Sequence, residues 1–188
     1  MKDILKGELV RLSAVDPDEL GKAYAVWNQD SEMMRLMDSH SAKLRSAKDF
    51  AAYFEKESRE ESPARHYFAI RALDGNRLLG DIGLNVINNW ASRDAYVGIG
   101  LGDRADWGRR YGSDAMKILL RFAFTEVNLR RVTLTVFEYN PRAIRSYEKT
   151  GFRHEGRYRS LLLRGGKRWD MLFMGILHEE WLAHNKER

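Results

Sequence analysis

Hydrophobic and polar positions switch period several times along the chain, and each switch marks an element. Glu8 to Val15 alternates as a first strand. Asp16-Pro17-Asp18-Glu19 then offers an N-cap, a first-turn proline and an acid three residues on that can close a capping box, so a helix is expected to about Asn28. A short helical piece follows over Ser31 to Met37. A third helix opens at Ser46, with Asp49 in its first turn and Phe50, Tyr53 and Phe54 at helical spacing. The Met and aromatic residues of these pieces read first as core and second as cleft lining.

The period then shortens to two. Tyr67 to Ala72 and Leu78 to Val86 read as antiparallel strands around Asp74-Gly75-Asn76, with Asn88-Asn89 as the next turn. Ala95 to Leu101 is a further strand with Gly98 and Gly100 inside it. Ser113 to Glu126 carries an apolar helical face of Ala115, Ile118, Leu119, Phe122 and Ala123. Arg131 to Phe137 is β-branched and strand-like, Pro141 to Thr150 a short helix closed by Gly151, and Phe152 to Arg164 with Arg168 to Ile176 a hairpin around Gly165-Gly166. A terminal helical turn contains Trp181. Strands and helices interleave without linker or repeat, which gives one mixed α/β domain over residues 1–188.

Composition narrows the function classes. There are no cysteines among 188 residues, so disulfides, thiolate metal sites and cysteine nucleophiles are excluded. The five histidines show no paired ligand spacing, and no metal is expected. No apolar run is long enough for a signal peptide or a membrane span, so a cytoplasmic protein with no membrane partner is expected. The net charge of +5 is unevenly spread: residues 101–170 hold 16 basic and 8 acidic side chains, against 16 and 19 elsewhere. A nucleic-acid-binding module is one reading of that basic segment, and it predicts binding that falls steeply with salt. No basic helix interleaved with aromatics supports it.

The segment also holds the one constellation with chemistry in it. A glycine-bearing strand, Val97-Gly98-Ile99-Gly100-Leu101, precedes a basic loop, Trp107-Gly108-Arg109-Arg110-Tyr111-Gly112, which runs into a helix at Ser113-Asp114. Free amides and the positive dipole end at a helix N-terminus bind anions, and the arginines add charge, so a phosphate is expected there. Small residues in the strand let a ligand approach its backbone and pair like an added strand. Amides beside a pyrophosphate describe coenzyme A.

The residues resemble the GNAT acyltransferase superfamily, in particular its ribosomal-protein N-terminal (RimJ/RimL-type) and spermidine or diamine acetyltransferases. The likeness runs from about Glu8 to Trp181. It is strongest in the loop from Trp107 to Ala115 and in the run Asn140-Pro141-Arg142-Ala143-Ile144-Arg145-Ser146-Tyr147-Glu148-Lys149-Thr150-Gly151-Phe152. The resemblance implies a mostly antiparallel twisted sheet with helices on both faces, and acetyl-CoA as cosubstrate. It places Gly100, Leu101 and Gly102 along the pantetheine arm, residues 107–113 on the pyrophosphate, Asn140 at the pantetheine end and Tyr147 at the thioester sulfur. Arg109, Arg110, Arg142 and Arg145 are expected to face the phosphates. Arg110 stands where the family's loop usually has glycine; either the loop differs locally here, or the arginine holds a backbone strain of about 1 kcal/mol or more and its guanidinium reaches a phosphate, the second being the preferred reading. The acceptor would be a primary amine on a small molecule or a peptide, and a homodimer is compatible with the resemblance.

Asn140, Ile144 and Tyr147 share a helix face by spacing. A phenol, with a reference pKa of about 10, is near enough to a thiol's value of roughly 8.5 to protonate a leaving thiolate, so Tyr147 is either the general acid or a packing residue. An amine must lose a proton before it attacks. Glu138, just past a strand, is the first candidate base, Asp81 the second and water the third; Tyr96 occupies the strand position where many relatives have a glutamate. Asp170 reads as a structural partner of nearby arginines. Trp90, Tyr96 and Phe137 could line the acceptor pocket or belong to the core. A CoA-binding protein without catalysis is the remaining alternative, suggested by Arg110 and Tyr96.

Overall fold

A computed structural model of the chain describes residues 3–41, 43–59, 64–87 and 92–186. Its elements are β1 (Val10–Ser13), α1 (Pro17–Trp27), α2 (Ser31–Met37), α3 (Ala47–Arg59), β2 (Arg65–Ala72), β3 (Leu78–Val86), β4 (Asp94–Leu101), α4 (Tyr111–Thr125), β5 (Arg131–Phe137), α5 (Pro141–Lys149), β6 (Arg153–Arg164), β7 (Lys167–Leu177) and α6 (His178–Lys186), with one 3-10 turn at Arg104–Asp106. The expected turn at Asn88-Asn89, and Trp90, lie outside the described residues. No described helix is long and apolar enough to cross a membrane.

The strands form one seven-stranded sheet in the order β1-β2-β3-β4-β5-β7-β6. Every ladder is antiparallel except that between β4 and β5. Two cores flank it. On one face α4 sets Ala115, Ile118, Leu119 and Ala123 against residues such as Ile70, Ile82, Val132, Leu134 and Ile176, all buried. On the other, Leu20, Tyr24, Met33, Phe50 and Phe54 of α1, α2 and α3 pack together over the sheet. Complete burial of a large aliphatic side chain stabilises by about 1.5–3 kcal/mol, so these two layers carry most of the fold.

Local signals set most boundaries. Asp16 caps α1 through bonds from the amides of Asp18 and Glu19, at 3.0 and 3.1 Å. Ser46 and Asp49 cap α3 reciprocally, the Ser46 amide donating to Asp49 Oδ2 and the Asp49 amide to Ser46 Oγ. Gly165 and Gly166 both take positive φ, +58° and +74°, as a two-residue hairpin turn requires. β1 begins at Val10 rather than Glu8, where the amides of Glu8, Leu9 and Val10 donate to the carboxylate of Asp114 in the first turn of α4, and it ends at Ser13, two residues before Val15. α4 itself begins at Tyr111, two residues before Ser113, and the terminal turn at Trp181 belongs to the nine-residue α6.

The feature that positions the site is a split in the sheet. β4 and β5 pair only through Asp94, Ala95 and Tyr96 against Arg131, Val132 and Thr133. β4 continues along β3 to Leu101 and β5 along β7 to Phe137, so the strands splay and leave a slot between them.

Candidate active site

The slot opens into a cleft of about 980 Å³. Alternation along β4 divides its lining. Val97, a core residue on the α4 face, defines the side to which Ile99 and Leu101 also belong. Gly98 and Gly100 belong to the opposite side, opposite Gly83 and Asp81 of β3. Tyr147 packs against the α4-side core, whereas Asp81 meets the hydroxyls of Tyr24 and Tyr67 below the helical layer of α1 to α3. The two groups therefore line one cleft from opposite faces of β4.

On the α4 side, the loop that precedes the helix is held firmly. Arg77 grips the buried Asp106 with two bonds of 2.7 and 2.6 Å, and the Trp107 indole donates to Leu101 O at 2.9 Å. Gly108 has φ +76° with open space where a side chain would be, and Arg110 has φ +69°. The first α4 bond runs from the Asp114 amide to Arg110 O, so the amides of Tyr111, Gly112 and Ser113 have no intrahelical acceptor. Arg110 is largely exposed at the mouth, 3.4 Å from Glu8. Thus the left-handed site keeps its arginine, and the helix starts directly after it.

Other expected residues are distributed as follows. Leu101, Trp107, Gly108, Arg110, Tyr111, Gly112, Ser113, Asn140, Arg142, Arg145 and Tyr147 all line the cleft. Arg109 does not; its guanidinium lies over the Tyr111 ring, 5.9 Å from the centroid. Arg142 is stacked on Trp107 at 3.7 Å and joins α5 to the loop, and burial lowers its pKa. Gly100 and Gly102 lie outside the lining because a Cβ at either would strike Met37 or Tyr24, and Trp27 respectively. Those glycines let α1 and α2 pack closely on the sheet. The β4 glycine with open space is Gly98. Asn140 caps α5 by accepting from the Ala143 amide at 3.2 Å, which leaves its Nδ2 hydrogens as donors. Burial pushes the Tyr147 phenol up to about 12.

Glu138, the first candidate base, is not among the lining residues. Its carboxylate accepts from the Asp170 amide at 2.9 Å and its own amide donates to Asp170 O, so it splices the end of β5 to β7. Asp170 in turn receives Arg157 at 3.0 Å. Asp81, the second candidate, is buried in the cleft wall, with Tyr24 Oη donating to Oδ1 and Tyr67 Oη to Oδ2 at 2.9 Å. Desolvation raises its pKa to about 6, against the partial relief from the two phenols. Phe137 lines the cleft, whereas Tyr96 faces a shallow depression with Thr133, Tyr158 and Phe173 elsewhere on the sheet.

Three contributors were not singled out by sequence. Ser146 meets Ser113 at 2.7 Å and ties α5 to α4 across the cleft; Lys117 lies one turn into α4; and Tyr67 holds Asp81. Position i+4 from Ser113 would have found Lys117.

Residues 10–153 match the acetyltransferase (GNAT) domain model, and the chain belongs to that family. It is similar to YokL, an uncharacterized SPbeta prophage-derived N-acetyltransferase of Bacillus subtilis, at 27% identity over 93% of each chain. It is 35% identical to the uncharacterized N-acetyltransferase YnaD of the same organism, over 38% of this chain and 42% of that one. In fold it is similar to the Vibrio cholerae spermidine N-acetyltransferase solved with CoA and spermine, with a TM-score of 0.78 at 23% identity over 92% and 98% of the chains. A putative acetyltransferase from T. thermophilus gives 0.76 at 26% identity over 97% and 93%. The protein is an N-acetyltransferase of the GNAT fold.

Proposed function

We propose that the protein transfers the acetyl group of acetyl-CoA to a primary amine by direct attack, with Asp81 receiving the amine and Tyr147 attending the sulfur. The observation that carries this reading is the position of Asp81 and Tyr147, which line one cleft from opposite faces of β4 beside the slot. The fit of coenzyme A rests on this chain's own groups. The unpaired side of β4 beyond Tyr96 offers N–H and C=O groups to amides, the amides of residues 111–113 suit a pyrophosphate, and Arg110, Arg145 and Lys117 neutralise charge at the mouth.

Asp81 does two things. As a carboxylate it attracts an ammonium, and with a pKa near 6 it accepts a proton more readily than an ordinary aspartate. An ammonium has a reference pKa of about 10.4, but desolvation beside Asp81 lowers it, so the two values converge and a neutral amine becomes accessible for attack. The ammonium proton passes through Asp81 to solvent before attack; the C–N bond then forms as the C–S bond breaks, the electron pair leaves on sulfur, and the second nitrogen proton is taken up by the Asp81 carboxylate. Tyr147, held protonated by its burial, donates to that sulfur; the proton completing the thiol comes through this phenol, which is recharged from solvent. Asp81 replaces Glu138 as the base because Glu138 is engaged with the Asp170 backbone.

The acceptor side favours a cationic amine. Asp38, Glu57 and Asp81 line it with the rings of Tyr53 and Tyr67, although Glu57 is paired with Arg65. The spermine complex of the Vibrio enzyme makes polyamines the first acceptors to try. A thiol-release assay with acetyl-CoA over polyamines, other small amines and peptides with a free N-terminus tests the reading. Turnover should fall on the order of a hundredfold in Tyr147→Phe. Turnover unaffected by both Tyr147→Phe and Asp81→Asn would overturn the assignment.

A further inference from the structure

Beyond the reacting groups, the cleft has a wall that does not belong to the sheet. The end of α2 and the residues after it, Leu36 to Ser39, line the acceptor side but run across the slot from the α1 side. Met33 anchors the seven-residue helix in the core and Arg104 pairs with Asp30 and Glu32 at its start, but its end, with Met37 41% exposed, has less buried surface to fix it. The far arm of the sheet holds that end.

The β6–β7 hairpin delivers Arg164 to this segment. Its Nη1 donates to Arg35 O and to Tyr139 Oη at 3.0 Å, and its Nη2 to Asp38 O at 2.5 Å and His40 O at 2.9 Å. Tyr139 Oη also donates to Arg35 O at 2.7 Å. The arginine thus satisfies carbonyls at and beyond a helix C-terminus, where a cation is favoured by the local dipole. It has its own support. Tyr139 stacks on Phe137 at 5.1 Å with nearly parallel rings and meets Trp169 edge-on, the Trp169 indole donates to Arg164 O at 3.2 Å, and the guanidinium lies 5.7 Å from the Phe137 ring. A fork of fixed donors on an aromatic pillar is suited to position backbone in a way that a lysine is not.

We infer that Arg164 is the positioning residue that sets acceptor specificity: from the β6–β7 hairpin it clamps residues 35–40 across the slot and so fixes the wall against which the amine must fit. The inference rests on the proposed acetyl transfer for the identity of the pocket, but the clamp itself does not. Arg164 itself lines neither half of the cleft; it acts through the segment it holds, whose Leu36 to Ser39 line the acceptor half.

Steady-state kinetics and limited proteolysis of Arg164→Ala, Arg164→Lys and Tyr139→Phe test it. In Arg164→Ala, KM for the acceptor should rise about tenfold, the loss expected for about one net hydrogen bond, while KM for acetyl-CoA stays within about twofold. Discrimination between short and long amines should narrow. Arg164→Lys and Tyr139→Phe, which each keep part of the network, should fall between. Trypsin should cut after Lys43 and Arg45 faster in Arg164→Ala than in the wild type. Unchanged acceptor KM with unchanged cleavage would overturn the inference, and so would a parallel rise of both KM values with a lowered thermal midpoint, since that marks a general loss of stability. If the wild-type protein acetylates no amine, the proposed function fails, and the cleavage rates then decide the clamp by themselves.

Discussion

Asp81 is a carboxylate that the fold keeps partly protonated near neutral pH. Its pKa, about 6 in the folded chain, exceeds the reference value of about 3.9 for an unfolded aspartate, so the folded state binds more protons between these values. Its contribution is therefore complete below about pH 4 and is lost as pH rises through about 6, by an amount on the order of 3 kcal/mol. The thermal midpoint should fall by several degrees from pH 5 to pH 8 in the wild type. In Asp81→Asn, which keeps an oxygen for the two phenols, that part of the slope should vanish and the midpoint at pH 8 should exceed the wild-type value, while acetyl transfer is largely lost. Scanning calorimetry across pH checks it, and an unchanged slope would sink the assignment. Activity has the opposite sense: kcat/KM should rise through about pH 6 as Asp81 ionises, and level off above it. Sequence reading ranked this residue behind Glu138. An acid one residue past a strand looks available, but its position along the chain does not say whether a neighbouring backbone has claimed it. The usable signal was an aspartate inside the otherwise apolar run Leu78-Leu79-Gly80-Asp81-Ile82.

At the scale of elements, the loop before α4 separates charge from backbone conformation. Arg110 has φ +69°, a conformation glycine adopts freely and other residues hold with a strain of about 1 kcal/mol. Arg110→Ala and Arg110→Gly should weaken acetyl-CoA binding alike, because both remove the guanidinium. By denaturant unfolding the glycine variant should be the more stable of the two by roughly 1 kcal/mol, less what glycine costs through its freer unfolded chain. Equal affinities to wild type in titration calorimetry would remove Arg110 from the phosphate site. A second element-scale dependence is the clasp of Asp114 on the amides of residues 8–10. Asp114→Ala strands buried donors and should cost about 2–4 kcal/mol in the same unfolding experiment. The elements themselves were legible because caps, glycine turns and period are local. Two boundaries moved for reasons the period does not carry: β1 starts late because of a carboxylate over a hundred residues on, and α4 starts early because its own N-cap, Arg110, accepts a conformation that sequence reading assigns to glycine.

Over the whole molecule, the basic surplus of residues 101–170 is only partly gathered at the mouth of the cleft. Arg110, Arg142, Arg145 and Lys117 line the cleft, Arg142 while stacked on Trp107, whereas Arg109 covers Tyr111 outside it. Exposed charges of this kind act at a range of about 10 Å in 0.1 M salt and much less in 1 M. Raising salt from about 0.05 to 0.5 M should therefore increase KM for acetyl-CoA several-fold with little change in kcat. A flat KM would mean that backbone amides alone hold the phosphates. The sheet architecture was readable from the order of strands, but the slot was not, because nothing in β4 or β5 alone reports that their ladder stops after three residues.

That early stop bears on solubility as much as on catalysis. A row of unpaired strand groups normally invites another polypeptide to add on, and the outer strands answer this openly: β1 has four residues, and β6 carries two irregularities and several arginines. The interrupted edge of β4 needs no such treatment, since β5 rejoins it at Tyr96 and closes one end. A full β-strand with side chains on both faces has no way to run through a wedge that narrows to a ladder. A thin, side-chain-free arm entering from the wide end can, so the same taper that would admit the proposed donor screens this edge against the stacking that leads to aggregates.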